Sequence, residues 1–139
     1  MPEVAIVAQA EVAPLLEAMR ADGLDVIPGE GTWIGARDAG GSLAGVARIF
    51  DRDGIAALDD VWVAPAHRRA GVGSALVAHA RTMRRPLWLI ADEIDVGFYA
   101  ARGFATEADT ALPAGLAAHY ASKDEWPAPD HRHVAMRAI

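Results

Sequence analysis

The 139-residue sequence contains no cysteine. That excludes disulfides, thiolate metal sites and a cysteine nucleophile, and it suits a reducing cytoplasm, the location we expect. No apolar run approaches the roughly 18 residues that a membrane span requires, so no membrane partner is expected. The first residues lack a basic stretch leading into an apolar one, so no signal peptide is expected either. Basic charge is in deficit: 13 Lys and Arg stand against 19 Asp and Glu, a formal net charge of −6. This argues against nucleic acid as a partner, because phosphate backbones are bound by cationic surfaces. An acidic field steers a cationic amine inward, although it also serves solubility alone. Apolar residues make up 53% and charged residues 23%, the proportions of a globular protein whose length suits one domain, 1–139.

The most informative stretch is Arg68 to Leu76, RRAGVGSAL. Two basic side chains lead into Gly71, Val72 and Gly73, and an apolar helical pattern follows with Val72, Leu76, Ala80 and Met83. Glycine lets backbone N–H groups close on a ligand, and a helix N-terminus adds partial positive charge. Together these features make a site for a phosphate or pyrophosphate. Upstream, Ile55 to Pro65 is rich in β-branched and aromatic residues and reads as a strand that Pro65 ends. Arg84 and Arg85 sit where cations favour a helix C-terminus, and Pro86 stops the run. No Lys-Ser/Thr pair follows the second glycine, so this is not a P-loop. The third glycine of the dinucleotide fingerprint is also missing.

Arg68, Gly71 and Gly73 after Val63-Ala64-Pro65 resemble the central motif of the GNAT superfamily of acyl-CoA-dependent N-acyltransferases. A second block of that family, Phe-Tyr-x-x-x-Gly-Phe, stands at Phe98, Tyr99, Gly103 and Phe104. The resemblance is specific over Leu58 to Phe104 and architectural outside it. It implies an α/β (α+β) fold: one GNAT-like domain with a mixed, mostly antiparallel central sheet flanked by helices. The residues agree with this. Strands are expected at Glu3–Ala8, Thr32–Asp38, Leu43–Phe50, Leu87–Ala91, Phe104–Glu107 and His133–Ile139. A helix is expected over Ala13–Arg20. Another, bearing Phe98 and Tyr99, is expected to be capped by Asp92 and closed by Gly103.

The resemblance implies acetyl-CoA as the acyl donor, held as a substrate without a metal. Its pyrophosphate would sit on the N–H groups of Arg69, Ala70, Gly71, Val72, Gly73 and Ser74, with Arg68 leading into the loop. Its pantetheine arm would lie along Val61, Trp62 and Val63, in a slot opened by a bulge in that strand. Tyr99 occupies the family's tyrosine position near the thioester sulfur, where a phenol of pKa ~10 can protonate a thiolate of pKa ~8.5. Asp59 aligns with a proposed base acting through water, and Asp60 with a neighbouring polar contact. As strand neighbours, the two carboxylates should point to opposite faces. Relatives often carry asparagine where this chain has Asp92, which leaves a cofactor contact there in doubt.

Other residues carry weaker signals. His131 and His133, with Asp130 and His119, match no zinc spacing, and His67 lies in the loop approach. Trp62 and Trp33 are candidates to line an acceptor pocket, whereas Trp88 reads as core. The expected activity is transfer of an acetyl group from acetyl-CoA to a small-molecule amine by direct attack. Alternatives are a protein N-terminal or lysine acetyltransferase, and a non-catalytic CoA-binding domain. Acceptor choice is expected to lie in the N-terminal helix, the Gly29–Gly31 loop and the Ala108–Asp130 segment. The last is expected to close the cleft or to form a homodimer interface.

Overall fold

A computed structural model describes residues 2–24, 26, 31–52, 54–108, 111–117 and 133–139. The elements run β1 (Val4–Ile6), α1 (Gln9–Val12), α2 (Leu16–Ala21), β2 (Thr32–Arg37), β3 (Leu43–Arg52), β4 (Ile55–Val63), α3 (Val72–Met83), β5 (Leu87–Asp92), α4 (Val96–Ala100), β6 (Phe104–Thr106) and β7 (His133–Ala138). The seven strands form one sheet in the order β1-β2-β3-β4-β5-β7-β6. Every pairing is antiparallel except β4 with β5. The parallel step is made by α3, as a strand–helix–strand crossover requires.

The expected helix Ala13–Arg20 is α-helical only from Leu16, because a 3₁₀ turn, Ala13–Leu15, breaks it from a further helix, α1, that was not expected. Pro14 explains the break, since it has no N–H for the α-helical ladder. Ahead of it, Glu11 accepts a hydrogen bond from the Ala8 N–H, which secures the start of α1. Arg84 also departs from expectation. It is extended rather than helical, and its guanidinium pairs with Asp51 at 2.6 Å instead of capping α3.

Three apolar clusters cover the sheet. Ile34, Ala47, Leu58, Leu76, Leu89 and Met136 form the largest, beneath α3 and with Phe98 and Tyr99 of α4 at its margin. On the opposite face, Val12 and Met19 pack on Trp33, Val46 and Trp62. Phe50, Ala57, Trp88 and Leu116 make a third, which agrees with Trp88 as a core residue. Trp33 and Trp62 are equally buried, at 4% and 5% exposure, so their rings are packing groups. Most of the Ala108–Asp130 segment, Gly29, His119 and His131 lie outside the described residues.

Candidate functional site

Chain geometry brings the two sequence blocks together. Strand β4 pairs with β5 only through Ala56–Leu87, Ala57–Trp88 and Leu58–Leu89. Beyond Leu58 the two strands part, and the β5-facing backbone edge of Val61 to Val63 is left available to a ligand. The separation starts at a bulge: Arg48 lies opposite Asp59 and Val46 opposite Trp62, so β4 carries one extra residue there. Pro65 then opens a 3₁₀ turn, and the chain reverses into α3 through Arg69 and Gly71, both with positive φ, 66° and 81°. Gly71 is the N-cap of α3 and supplies no capping side chain. The first N–H groups of a helix have no partner within it, so they point out of this end as anion donors.

Between the parted strand, the start of α3 and α4 lies a cleft of about 440 Å³, a volume in the range of small-molecule sites. Val61, Val63, Arg68, Arg69, Gly71, Val72, Gly73, Ser74 and Tyr99 line it, which gathers most of the residues expected from sequence. Ala70 is not among the lining residues, and the Trp62 side chain turns to the opposite face, where its indole N–H donates to Asp22 at 2.7 Å. Arg68 is in the wall but already engaged. Its Nε donates to the Val63 carbonyl at 3.0 Å and its terminal nitrogen to Asp22 at 2.9 Å. Asp22 thereby ties the end of α2 to the loop, and its hydrogen bonds from Trp62 and Arg68 hold its carboxyl below the usual range.

Sequence reasoning missed three cleft residues. Arg102 donates from Nε to Ser74 Oγ at 2.8 Å and from Nη1 to the Phe98 carbonyl at 2.7 Å, and its guanidinium stacks 3.8 Å over the Phe98 ring. Phe98 itself is a wall. The third is Asp95, an exposed residue whose carboxyl is raised above its usual value by partial desolvation and by the Asp92 charge. The signal for Arg102 lay inside the Phe98–Phe104 block, but only helical geometry turns that position back onto Ser74. His67 also lines the cleft and faces Asp38 at 3.4 Å.

Tyr99 stands edge-on to Phe98 and Phe104, with centroids 5.1 and 6.0 Å away. Burial raises its phenol well above 10, with the charges of Asp95 and Asp59 adding to the effect. The phenol therefore keeps its proton at any working pH and is a donor. Among the described residues no group hydrogen-bonds it, so its hydroxyl is left for a ligand. Asp59 and Asp60 sit in the bulge, with Asp59 paired directly opposite Arg48 in the register. Asp60 is buried against Arg48 at 2.6 Å, and neither Asp59 nor Asp60 is among the lining residues of the cleft. Asp92 accepts from the Ile94 N–H at 3.4 Å and so caps the 3₁₀ turn Glu93–Asp95 that precedes α4, whereas the N-cap of α4 itself is Asp95.

A parted parallel pair, a helix N-terminus at its mouth and arginines in its walls make a cleft that suits a long, anionic ligand. The class this defines is the acyl-CoA-dependent acyltransferase. The model of the acetyltransferase (GNAT) family matches residues 7–104, and the chain belongs to that family. No curated protein matches it at comparable significance. Among solved structures, an acyl-CoA N-acyltransferase from Pseudomonas aeruginosa is 19% identical with a TM-score of 0.64, over 100% of both chains. N-acetylglutamate synthase from Neisseria gonorrhoeae, in complex with coenzyme A and L-arginine, is 18% identical with a TM-score of 0.71, over 99% of this chain and 34% of that one. Nourseothricin acetyltransferase is 22% identical with a TM-score of 0.64, over 98% and 96%. At these identities the likeness concerns the fold.

Proposed function

We propose that this acetyltransferase moves an acetyl group from acetyl-CoA to the amine of a small molecule by direct attack, with Tyr99 as acid and Asp59 as base. The observation that carries the reading is the convergence of the parted β4 edge, the open start of α3 and the Tyr99 phenol on one cleft. The residues fit the donor. N–H groups from Arg69 to Ser74 suit its pyrophosphate, Arg102 and Arg69 its negative charge, and the Val61–Val63 edge its amide-bearing arm.

In the reaction, Asp59 accepts the proton of the incoming ammonium through water. The freed amine forms the new C–N bond while the C–S bond breaks. Tyr99 hydrogen-bonds the departing sulfur and yields its proton as negative charge builds there, so CoA leaves as the thiol. The second proton, shed by the acylated nitrogen, restores the phenol, and Asp59 returns its proton to water. A group so weakly acidic is a donor first, and its charge-stabilising role peaks late in the step. Asp60, expected as a neighbouring polar contact, is given no part in the proton transfer, because it is buried against Arg48. The acidic net charge favours a cationic acceptor, and two structural relatives, N-acetylglutamate synthase and nourseothricin acetyltransferase, are named for small molecules.

The test is release of free thiol from acetyl-CoA across an amine panel, with Tyr99→Phe and Asp59→Asn in parallel. Tyr99→Phe should lower kcat by about 10²-fold with CoA binding retained, and Asp59→Asn should remove the acidic limb of kcat/KM against pH. Wild-type turnover in Tyr99→Phe would remove the acid assignment. CoA-induced thermal stabilisation without thiol release for any amine would favour a non-catalytic CoA-binding domain.

A further inference from the structure

Strand β4 changes phase in its middle. Ala56 and Leu58 face the α3 core, and so do Val61 and Val63. Strict alternation does not carry an even-numbered face onto odd positions, so one residue must be spent between them. The register places that residue at Asp60, whose φ is 54°. A side chain with a Cβ disfavours this left-handed conformation, and something outside the strand must hold it.

Arg48 is placed to do so. It comes from β3, directly opposite Asp59, and its guanidinium meets the Asp60 carboxylate at 2.6 Å with side-chain exposures of only 7% and 3%. Its position is over-determined. The guanidinium lies 5.1 Å from the centre of the Trp33 ring. The aliphatic stem runs past Gly31, where a Cβ would come within 2.8 Å of both Cγ and Cδ. On the other side of the bulge, the Asp60 N–H donates to Asp59 Oδ1 at 2.9 Å, which orients the carboxylate assigned as base. The β4–β5 pairing stops at Leu58, immediately before this structure.

We infer that Arg48 is a positioning residue: its buried ion pair with Asp60 locks the left-handed bulge that fixes the backbone around Asp59 and keeps β4 parted from β5. The inference rests on the acid–base reading proposed above. It assigns Arg48 no contact with either substrate.

Removing Arg48 alone would strand a buried carboxylate and threaten folding. The informative variants therefore neutralise both partners. In Arg48→Met/Asp60→Leu the buried charges are gone and the left-handed residue is unsupported. In Arg48→Met/Asp60→Gly they are equally gone, but glycine adopts that conformation unaided. A merely structural ion pair gives no reason for the two folded proteins to differ in chemistry. The lock predicts a kcat loss of about 10- to 100-fold for the leucine variant, with its acidic limb displaced and its CoA-induced thermal shift reduced. The glycine variant should recover most of each. Should the leucine variant fail to fold, Arg48→Met/Asp60→Ala makes the same comparison with less bulk. Equal rates and equal CoA shifts in the two folded doubles, whether both high or both low, would overturn the inference. Asp59→Asn, run alongside, separates the two ideas: a wild-type rate and profile there sinks the base assignment. The glycine contrast in rate and CoA shift still judges the lock.

Discussion

The same chemical change, made two residues apart in the cofactor loop, should move stability in opposite directions. Gly73 lies in the first turn of α3 with an ordinary helical backbone, and a Cβ there would meet Phe98 Cζ at 3.4 Å and Val63 Cγ2 at 3.7 Å. Those are van der Waals contacts, so Gly73→Ala adds no clash and removes unfolded-chain entropy, a gain of about 0.5–1 kcal/mol. Gly71 is the reverse case. A Cβ there would meet nothing within 4 Å, but its φ is 81°, which costs an L-residue about 1–2 kcal/mol. With an unfolding entropy of about 2.1 cal/mol/K per residue, one kcal/mol moves the Tm of a chain this size by about 3–4 °C. Thermal unfolding should therefore show Gly73→Ala about 2–3 °C above wild type and Gly71→Ala about 3–7 °C below it. Repeating the scans with saturating CoA tests the site. Gly73→Ala should keep its ligand-induced shift, whereas Gly71→Ala should lose most of it, because its strain turns the N–H groups away from the pyrophosphate. Shifts of the same sign for both variants would refute the backbone argument. An undiminished CoA shift in Gly71→Ala would refute this end of α3 as the anion site.

Arg102→Met should raise the KM for acetyl-CoA about tenfold or more with a smaller effect on kcat, since it removes a charge from the cleft wall and frees Ser74 and Phe98. An unchanged KM would reduce Arg102 to a packing residue. Phe104→Ala should cost about 3–5 kcal/mol, because its ring is only 2% exposed and supports Tyr99 edge-on. Denaturant unfolding would measure this, and a loss below about 1 kcal/mol would contradict its place in the core. Stability should also fall in acid. The carboxyls of Glu11, Asp22 and Asp51 are held below their ordinary values, chiefly by hydrogen bonds from Arg37, Trp62 and Arg84 respectively. Lowered folded values mean a contribution complete above about pH 4 and lost as pH drops through them. Tm that stays flat or rises from about pH 5 to about pH 3 would count against these pairs.

Much of the fold was legible because local rules and tertiary packing agree. Alternation in Leu43–Phe50, the Gly41-Ser42 turn and helical spacing after Gly71 each name an element without outside help. The N-terminal helix was misjudged in outline because Pro14 sits in a 3₁₀ turn that separates two α-helical pieces. Arg84 was misjudged because a partner 33 residues away in sequence competes with the helix end for its charge.

The cofactor side of the site shows the same division. Gly71 and the Phe98–Phe104 block are local features: a left-handed turn needs glycine, and an aromatic pair on a short helix must face the core. The sequence by itself therefore determined the family, and it named the loop and the tyrosine on which the proposed site is built. What it left undetermined was the phase of β4. Period-two reasoning treats Asp59 and Asp60 as equivalent neighbours, and a bulge is invisible to it, because the extra residue is specified by the partner strand. Only the tertiary structure, by bringing Arg48 across from β3, decided which of the two carboxylates is buried in an ion pair. A buried charge goes where a distant partner compensates it, and that distance is measured through space, not along the chain.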